Sequence, residues 1–335
     1  MIDPGDVVFV GQTADASCYH RVMLPALALG CDWCGLDEPP PRIRLGRGEV
    51  RASGGQPDLA AYALVVLQTP ASEGWLDAIP ALRAKGTRVL YEVDFDIHAI
   101  PQAPEALALI ERLIASCDGV ICATERIAER YAALNARTLV CESGIDLDAY
   151  ALTRPPHDTV NIGWAGRSLT PDEMRGWLTQ IGGVLRAREL TNFISVGAPH
   201  ADELAASGAV APERCLAIPP VLPEQYPAAV SLFDVGFDPM GRAPWRRARS
   251  QLRWLEAGAW GIPFVGDRRI YPAIEHGVTG FHAADPPALA ATLLRLVDDP
   301  ELRARVGAAA RARVRAEYSM AALAPQWLRA FEAVA

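Results

Sequence analysis

The stretch ALVVLQ (residues 63–68) is an unbroken apolar run closed by a single glutamine. A strand with one face in solvent alternates apolar and polar residues, whereas a strand in a parallel sheet covered on both faces is apolar throughout. Similar runs surround it in the first half of the chain: VVFVG (7–11), TRVLYEV (87–93), GVICAT (119–124) and TLVCES (138–143). Helical patterns separate these runs, at about 20–29, 73–85, 103–116 and 125–134. The first half therefore predicts a doubly wound α/β domain.

The same alternation restarts after a proline-containing joint at residues 153–158. The second set of strand-like runs is VNIGWAG (160–166), NFISVG (192–197), CLAIP (215–219), DVGFDP (234–239) and PFVGD (263–267). Three consecutive helical patterns then follow, at about 286–298, 300–317 and 320–334. We expect Rossmann-like domains at 1–153 and 154–316, and a last helix at 317–335 that packs back on the first domain. Such sheets bind ligands at the carboxyl ends of their strands, so we expect a site in a crevice between the two domains.

Composition limits the class of protein. The chain has 335 residues, with 32 basic and 40 acidic side chains and a net charge of −8. This balance argues against general affinity for nucleic acid or anionic membranes, although local patches could still attract them. Without a basic leader or the roughly 20-residue apolar run of a spanning helix, we expect a cytoplasmic location.

Seven cysteines include the pair Cys31-x-x-Cys34. This spacing could mark a redox pair or half of a zinc site, but no second pair of cysteines or histidines completes it. We expect reduced, buried cysteines that behave as small apolar groups.

The segment RSQLRWLEAGAWGIPFVGD (249–267) predicts a helix followed by a buried strand. The backbone N–H groups of Ser250, Gln251 and Leu252 would form an anion site at the helix start, beside the guanidinium of Arg249. Glu256 would accept hydrogen bonds from a vicinal diol such as a ribose. The alternative is that Ser250 only caps the helix and Glu256 lies on a solvated face.

This segment, continued by HGVTGF (276–281), resembles the donor-binding region of GT-B glycosyltransferases, and the closest group is the retaining GT4-like family. Further likeness lies in IGWAGRS (162–168), VSLFDVGFDPM (230–240), ICATERIAERY (121–131) and SGID (143–146). The resemblance covers the second half well and the first half loosely. It implies the GT-B fold and transfer of a sugar, of the hexosyl type and with retention, from a nucleoside diphosphate sugar to a hydroxyl group.

The resemblance also implies roles for particular residues. Arg167 and Arg249 would hold the diphosphate, Glu256 the ribose, and the loops near Gly197 and Val221 the base. The chain departs from the family at two places: Ala248 stands where the first glutamate of a paired motif is usual, and acids at 172–173 replace a frequent lysine. No cofactor and no metal are expected.

Two groups of residues are candidates for the acceptor side. The first is the loop after strand 7–11, with Gly11, followed by Tyr19, His20 and Arg21 at the start of a helix that would face the crevice. His20 could equally be an ordinary residue of the helix surface. The second is the run EVDFDIHAIP (92–101), with Asp94, Asp96 and His98 just past a buried strand. Acids at such a position favour catalysis, since buried carboxylates are costly unless paired. A divalent ion between Asp94 and Asp96 is a less favoured alternative.

The acceptor itself could be anionic, because arginines gather in two places. They are Arg42, Arg44, Arg47 and Arg51 in a Pro/Gly-rich stretch, and Arg242, Arg246, Arg247, Arg249 and Arg253 before and in the predicted donor helix. These patches would suit a lipid-linked acceptor or DNA bearing a hydroxylated base, or they are simply solvated arginines. Two other functions stay open: a nucleotide-sugar epimerase of the same fold, and a non-catalytic nucleotide-sugar binder.

Overall fold

The computed structural model describes residues 2–11, 15–35, 58–100, 102–166, 171–238 and 247–335, apart from the side chains of 171–173. Contacts divide the chain into two units. Unit 1 comprises Met1–Asp146, Arg247–Ser250 and Ser319–Ala335, and unit 2 comprises Leu147–Arg246 and Gln251–Tyr318. The divisions at Asp146 and Tyr318 lie a few residues from the boundaries at 153 and 316 that the sequence suggested.

Unit 1 is built on a six-stranded parallel sheet with the order β2-β1-β3-β4-β5-β6. The strands are β1 (Val7–Gly11), β2 (Asp32–Gly35), β3 (Leu64–Gln68), β4 (Arg88–Val93), β5 (Gly119–Cys122) and β6 (Thr138–Val140). Every residue of β1 and β3 is buried, as expected for strands covered on both faces. The helices are α1 (Ala16–Cys18), a π-helical turn (Tyr19–Met23), α2 (Leu24–Leu29), α3 (Trp75–Ala84), α4 (Pro104–Ser116) and α5 (Glu125–Tyr131).

Unit 2 repeats this plan with the strand order β12-β11-β10-β7-β8-β9, again parallel. The strands are β7 (Val160–Ala165), β8 (Thr191–Val196), β9 (Cys215–Ile218), β10 (Val235–Asp238), β11 (Phe264–Gly266) and β12 (Phe281–His282). The helices are α6 (Pro171–Ala187), α7 (His200–Ala206), α8 (Tyr226–Val230), α9 (Leu252–Trp260), α10 (Pro286–Asp298) and α11 (Pro300–Arg313), the last continued by a π-helical turn (Val314–Tyr318). Short 3₁₀ turns occur at Pro4–Asp6, Leu59–Ala61, Ile97–Ala99, Asp148–Tyr150 and Pro212–Arg214.

The last helix, α12 (Met320–Glu332), is part of unit 1. Ser319 caps it by accepting a hydrogen bond from the Ala322 N–H. The ring of Trp327 lies 5.5 Å from that of Phe9 on β1, and the ring of Phe331 lies 6.1 Å from it. Trp327 and Phe331 are almost completely buried, so α12 covers one face of the first sheet.

The prediction of a doubly wound α/β fold is confirmed, since both sheets are parallel and have helices between their strands. Two strands were missed. β2 falls on the Cys31–Cys34 pattern, which we had considered only for its thiols, and β12 has just two residues. Neither carries the long apolar run that identified the others.

Candidate functional site

Two glycines shape the carboxyl edge of the sheet in unit 2. Gly166 follows β7 with φ 153°, and Gly197 follows β8 with φ 94°. A Cβ atom on Gly197 would overlap the carbonyl oxygen of Gly166, and one on Gly166 would overlap the guanidinium of Arg253. Only glycine fits both positions, and bare backbone is therefore presented at the ends of two neighbouring strands.

Arg253 on α9 lies against this backbone, and its side chain is only 11% exposed. Its Nη1 donates to Oδ1 of Asp238 at the end of β10, while Oδ2 of Asp238 accepts a 2.6 Å bond from the Tyr271 hydroxyl. The guanidinium also stacks 5.2 Å from the ring of Trp164 on β7. Burial opposes the charge of Arg253, but the Asp238 carboxylate outweighs it and raises the pKa of the arginine. The guanidinium of Arg253 is thus fixed beside Gly166, with its charge paired to the Asp238 carboxylate.

Arg253 corrects one prediction. We had placed it in a surface run of arginines, whereas it belongs to a buried ion pair with Asp238, which is 3% exposed. The other arginines of that run are Arg247, which is exposed, Arg249, which is partly exposed, and Arg242 and Arg246, which lie outside the described residues.

The start of α9 differs from the prediction by one residue. Gln251, and not Ser250, occupies the N-cap position, and its side chain does not cap the helix. Instead, Oε1 of Gln251 accepts a 2.9 Å bond from the Ala273 N–H. The interpretation of Ser250 as the cap was wrong. The Trp254 N–H donates to the Gln251 carbonyl at 3.0 Å, and the N–H groups of Leu252 and Arg253 before it are not capped by the Gln251 side chain. Ser250 and Arg249 are partly exposed just before this helix start.

Glu256 is buried, with 4% of its surface exposed. The alternative that it lies on a solvated face was therefore wrong. Its Oε2 accepts a 3.1 Å hydrogen bond from the hydroxyl of Tyr226 on α8. Burial, together with the charge of Glu256, raises the pKa of Tyr226 well above its usual value, so the hydroxyl stays a donor.

Ala248, which stands where the related family has a glutamate, is buried in the apolar core of unit 1. Its carbonyl oxygen accepts a 3.2 Å bond from the hydroxyl of Thr124. A carboxylate at this position would enter an apolar cluster that includes Val93 and Ala123, which explains why alanine occurs here.

In unit 1, Asp94 follows β4 and is held by a short hydrogen-bonded chain. Gln68 Nε2 donates to Ser17 Oγ at 2.9 Å, and Ser17 Oγ donates to Asp94 Oδ2 at 2.6 Å. The other oxygen, Oδ1, is shielded from solvent and has no hydrogen-bond partner among the described residues. Gly11 lies beside this chain, since a Cβ there would come within 3.6 Å of the Gln68 side chain and 2.5 Å of Cys18 Sγ. The strand ends of β1, β3 and β4 thus meet around Asp94.

Asp96 and His98 form a separate group. Asp96 caps the turn Ile97–Ala99 and lies 3.8 Å from both His98 Nδ1 and Arg130 Nε. His98 Nε2 lies 2.9 Å from Oε1 of Glu111 on α4. Asp94 and Asp96 thus have different partners. Glu111 could not be identified from the sequence, because it is 13 residues from His98 in a run that reads as an ordinary helix surface.

Tyr19, His20 and Arg21 lie in the π-helical turn and are all buried, with 6%, 8% and 1% exposure. Arg21 Nε donates to Glu92 Oε1 at 2.6 Å, Nη1 donates to the Cys141 carbonyl at 2.7 Å, and the guanidinium lies 5.0 Å from the ring centre of Trp327. The expectation that Arg21 faces the acceptor side of the crevice is corrected: its side chain is buried and paired with Glu92 inside the core of unit 1. His20 is likewise not a helix-surface residue, and its ring packs edge-on against Tyr19.

Several predicted residues lie outside the described part of the chain, namely Arg167 and the first arginine patch (Arg42, Arg44, Arg47 and Arg51). Val221 is described, and it is partly exposed in an irregular segment after β9. Among the described residues, no helix is long and apolar enough to cross a membrane.

The cysteines near β2 have the chemistry of core residues. Cys31 and Cys34 are buried and free of disulfide bonds. Burial raises the pKa of Cys31 to about 12 and that of Cys34 to about 11. Both thiols therefore stay protonated at neutral pH, which disfavours a redox or zinc role.

Known proteins resemble this chain in sequence and in fold. Residues 184–329 match the family model described as "Glycosyl transferase-like". The resemblance to GT-B glycosyltransferases is confirmed. No curated protein matches the sequence.

The GT-B fold extends over nearly the whole chain. The structure of HepE from Anabaena, solved with UDP and glucose, is similar over 99% of this chain and 100% of its own, with TM-score 0.70 at 13% identity. A glycosyltransferase from Rickettsia africae matches over 98% of both chains with TM-score 0.68 at 12% identity. A putative UDP-N-acetylglucosamine 2-epimerase from Listeria monocytogenes covers 97% of this chain and 95% of its own, with TM-score 0.59 at 16% identity.

Proposed function

We propose that the protein transfers a sugar, of the hexosyl type and with retention, from a nucleoside diphosphate sugar to an acceptor hydroxyl. The observation that carries this proposal is the position of the Arg253 guanidinium against the Gly166 backbone, with Arg253 itself in the first turn of α9. A fixed guanidinium, glycine-only backbone and the N–H groups of Leu252 and Arg253 at a helix start are together suited to a diphosphate. The transfer requires no cofactor and no metal.

Each part of the donor has a proposed partner. Arg249, Arg167 and the N–H groups of Leu252 and Arg253 bind the diphosphate, and the Arg253 guanidinium lies beneath Gly166. Glu256, held by Tyr226, accepts from the ribose hydroxyls. The base lies near Gly197 and Val221. A UDP sugar is the first donor to test, because HepE, which shares this fold, was solved with UDP-glucose.

During transfer, the bond between the anomeric carbon and the β-phosphate oxygen breaks, and the acceptor oxygen forms a bond to that carbon on the face that the diphosphate leaves, as retention requires. Negative charge grows on the leaving diphosphate, and donors placed in advance stabilise it by several kcal/mol in comparable sites. Asp94 is the proposed group that takes the acceptor proton. Its Oδ1 has no partner among the described residues, whereas His98 already lies between Asp96 and Glu111.

We further propose an anionic acceptor, either lipid-linked or a hydroxylated base in DNA. Among the described arginines, Arg247 and Arg249 support it.

If the acceptor is a polyanion, its affinity should fall steeply as salt rises from 50 to 200 mM, by roughly tenfold or more when several charges are neutralised. Filter or fluorescence binding at constant pH measures this. Affinity that does not change over that range rules out the anionic acceptor but leaves the donor site untouched.

The donor site is tested by Arg249→Ala. A donor at 100 times its Kd stabilises the protein by about 2.7 kcal/mol, which a thermal-shift screen of nucleoside diphosphate sugars detects. We expect this shift with UDP-glucose in the parent protein and its near loss in Arg249→Ala. The matched control is Arg247→Ala, which removes an exposed arginine two residues away.

Three outcomes contradict the proposal. If Arg249→Ala still binds and turns over the donor, Arg249 does not bind the diphosphate. Conversion of the donor to an isomer without any acceptor indicates an epimerase. Binding without turnover for every acceptor tested indicates a nucleotide-sugar binder.

A further inference from the structure

A cavity of about 420 Å³ lies in unit 2, outside the proposed donor contacts. The segment from Pro272 to His276 forms one wall, and Arg268, His282 and Arg313 complete the lining. A volume of this size suits a small organic molecule and exceeds what a bare inorganic ion needs. The lining contains two guanidinium groups and one carboxylate, that of Glu275.

Arg313 is held in place by its own unit. Its Nη1 donates to the Ala273 carbonyl at 2.7 Å, and its Nε donates to Oε2 of Glu317 at 3.0 Å. The guanidinium lies 5.9 Å from the ring centre of Trp254. Its orientation is thus fixed before any ligand arrives, and Nη2 is the nitrogen left to donate into the cavity.

Arg268 supplies the second charge. Its neighbour Arg269 takes the carboxylate of Asp267 in two hydrogen bonds of 2.9 Å each. Arg268 is exposed on the rim instead. Two guanidinium groups that face one cavity are well suited to a phosphate, whose oxygens accept several charge-assisted hydrogen bonds at once.

The two histidines have assignable protons. Nδ1 of His276 accepts a 3.0 Å bond from the His282 N–H, so this nitrogen carries no proton and Nε2 of His276 is the donor. Nε2 of His282 lies 3.0 Å from the Tyr271 carbonyl oxygen, which can only accept, so His282 uses its N–H within the protein. The rings stack 5.9 Å apart. His276 therefore adds one neutral N–H donor to the lining.

The wall of the cavity is well ordered by internal bonds. The Glu275 N–H donates to Thr279 Oγ1 at 2.9 Å, and the Gly277 N–H donates to the Gly280 carbonyl at 2.8 Å. Trp254 Nε1 donates to the Thr279 carbonyl at 3.0 Å, which fixes the loop to α9. A site that needs little ordering loses little affinity to conformational entropy.

We propose that this cavity is a second ligand site, which binds a hydroxylated organic phosphate. Arg313, Arg268 and the Nε2–H of His276 bind the phosphate oxygens, and Glu275 accepts from a hydroxyl group of the ligand. Because the Ala273 N–H donates to Gln251 Oε1 at the start of α9, the ligand touches the segment that sets the helix start.

Glycerol 3-phosphate is the probe, with inorganic phosphate and glycerol as its two parts, all at equal ionic strength. We expect glycerol 3-phosphate to raise the Tm and to shift the ring C–H signals of His276 and His282 in NMR spectra. Its affinity should fall roughly tenfold in Arg268→Gln and in Arg313→Gln, the usual size for a lost charge-assisted contact. Glu275→Gln should weaken the binding of glycerol 3-phosphate more than the binding of inorganic phosphate, which has no alcohol hydroxyl group for Glu275 to accept from.

The control variant is Arg305→Gln, an exposed arginine on the same helix as Arg313, and it should bind the probe as the parent does. Arg249→Ala should also retain binding, since this site is separate from the donor contacts, and so the test stands even if the donor assignment fails. The inference is overturned if glycerol 3-phosphate changes the Tm and the histidine NMR signals no more than sodium chloride does. It is equally overturned if both arginine variants bind unchanged, or if Arg249→Ala alone abolishes binding.

Discussion

Replacing Arg253 by methionine is expected to destabilise the protein by about 3–5 kcal/mol, the usual result of removing one partner from a buried ion pair. Asp238 is 3% exposed and, among the residues that the structure describes, would keep only the Tyr271 hydroxyl as a strong partner. The same change should abolish the thermal shift with UDP-glucose, because it removes the charge beneath Gly166. Urea denaturation gives the free energy of unfolding, and the thermal shift gives donor binding.

The double variant Arg253→Met/Asp238→Asn separates the two effects. With the carboxylate neutralised, much of the stability should return, whereas donor binding should stay lost. Arg295→Met is a matched control, since Arg295 also stacks on an aromatic ring, at 5.6 Å from Phe281, but is exposed. An unchanged unfolding midpoint in Arg253→Met would mean that the ion pair adds nothing. Donor binding that survives would show that the guanidinium is not part of the site.

The second large effect is expected on the pH dependence of stability, which the buried pair Arg21 and Glu92 in unit 1 controls. Burial raises the pKa of Glu92 from 4.5 to about 7, against the opposing effect of Arg21. The folded protein thus holds a proton on Glu92 at a higher pH than the unfolded chain. This carboxyl therefore contributes most to stability below pH 4.5, and its contribution falls as the pH rises towards 7.

Arg21→Met should accentuate this dependence. At pH 8 the variant must bury an unpaired carboxylate, and we expect a loss of about 3–5 kcal/mol. At pH 5 the carboxyl can stay protonated, and the loss should be clearly smaller. Denaturation curves at both pH values measure this difference. In the double variant Arg21→Met/Glu92→Gln, the loss of stability should be nearly the same at the two pH values. Arg188→Met, which breaks an exposed pair with Asp298, is the control and should hardly move the midpoint. Equal losses at both pH values would contradict the assignment to Glu92.

Ten of the twelve strands that the structure describes could be predicted to within about three residues, because a strand buried on both faces must be apolar throughout. Phe9 on β1 and Leu67 on β3 are examples, and each is completely buried. The same rule misses β2, an edge strand that starts with the exposed Asp32 and holds Trp33 and Cys34. An edge strand has fewer neighbours, so its sequence is less constrained.

The candidate site was predicted less completely, because its charges are set by partners far apart in the sequence. Arg21 pairs with Glu92 across 71 residues, and nothing near Arg21 distinguishes it from a surface arginine. Arg253 is separated from Asp238 by 15 residues. Asp94 and Glu256 were proposed from their place after a strand and within the helix, but Ser17 and Tyr226, which hold them, carry no local signal.

The placement of α12 has a consequence for the order of folding during synthesis. Phe9 leaves the ribosome long before Trp327 and Phe331, which cover it. Unit 2 lies between them in the chain, so it can close its own core while the nascent first sheet still lacks its cover. The first sheet is thus translated before unit 2 but completed after it, and until α12 emerges an apolar sheet face is open to chaperones.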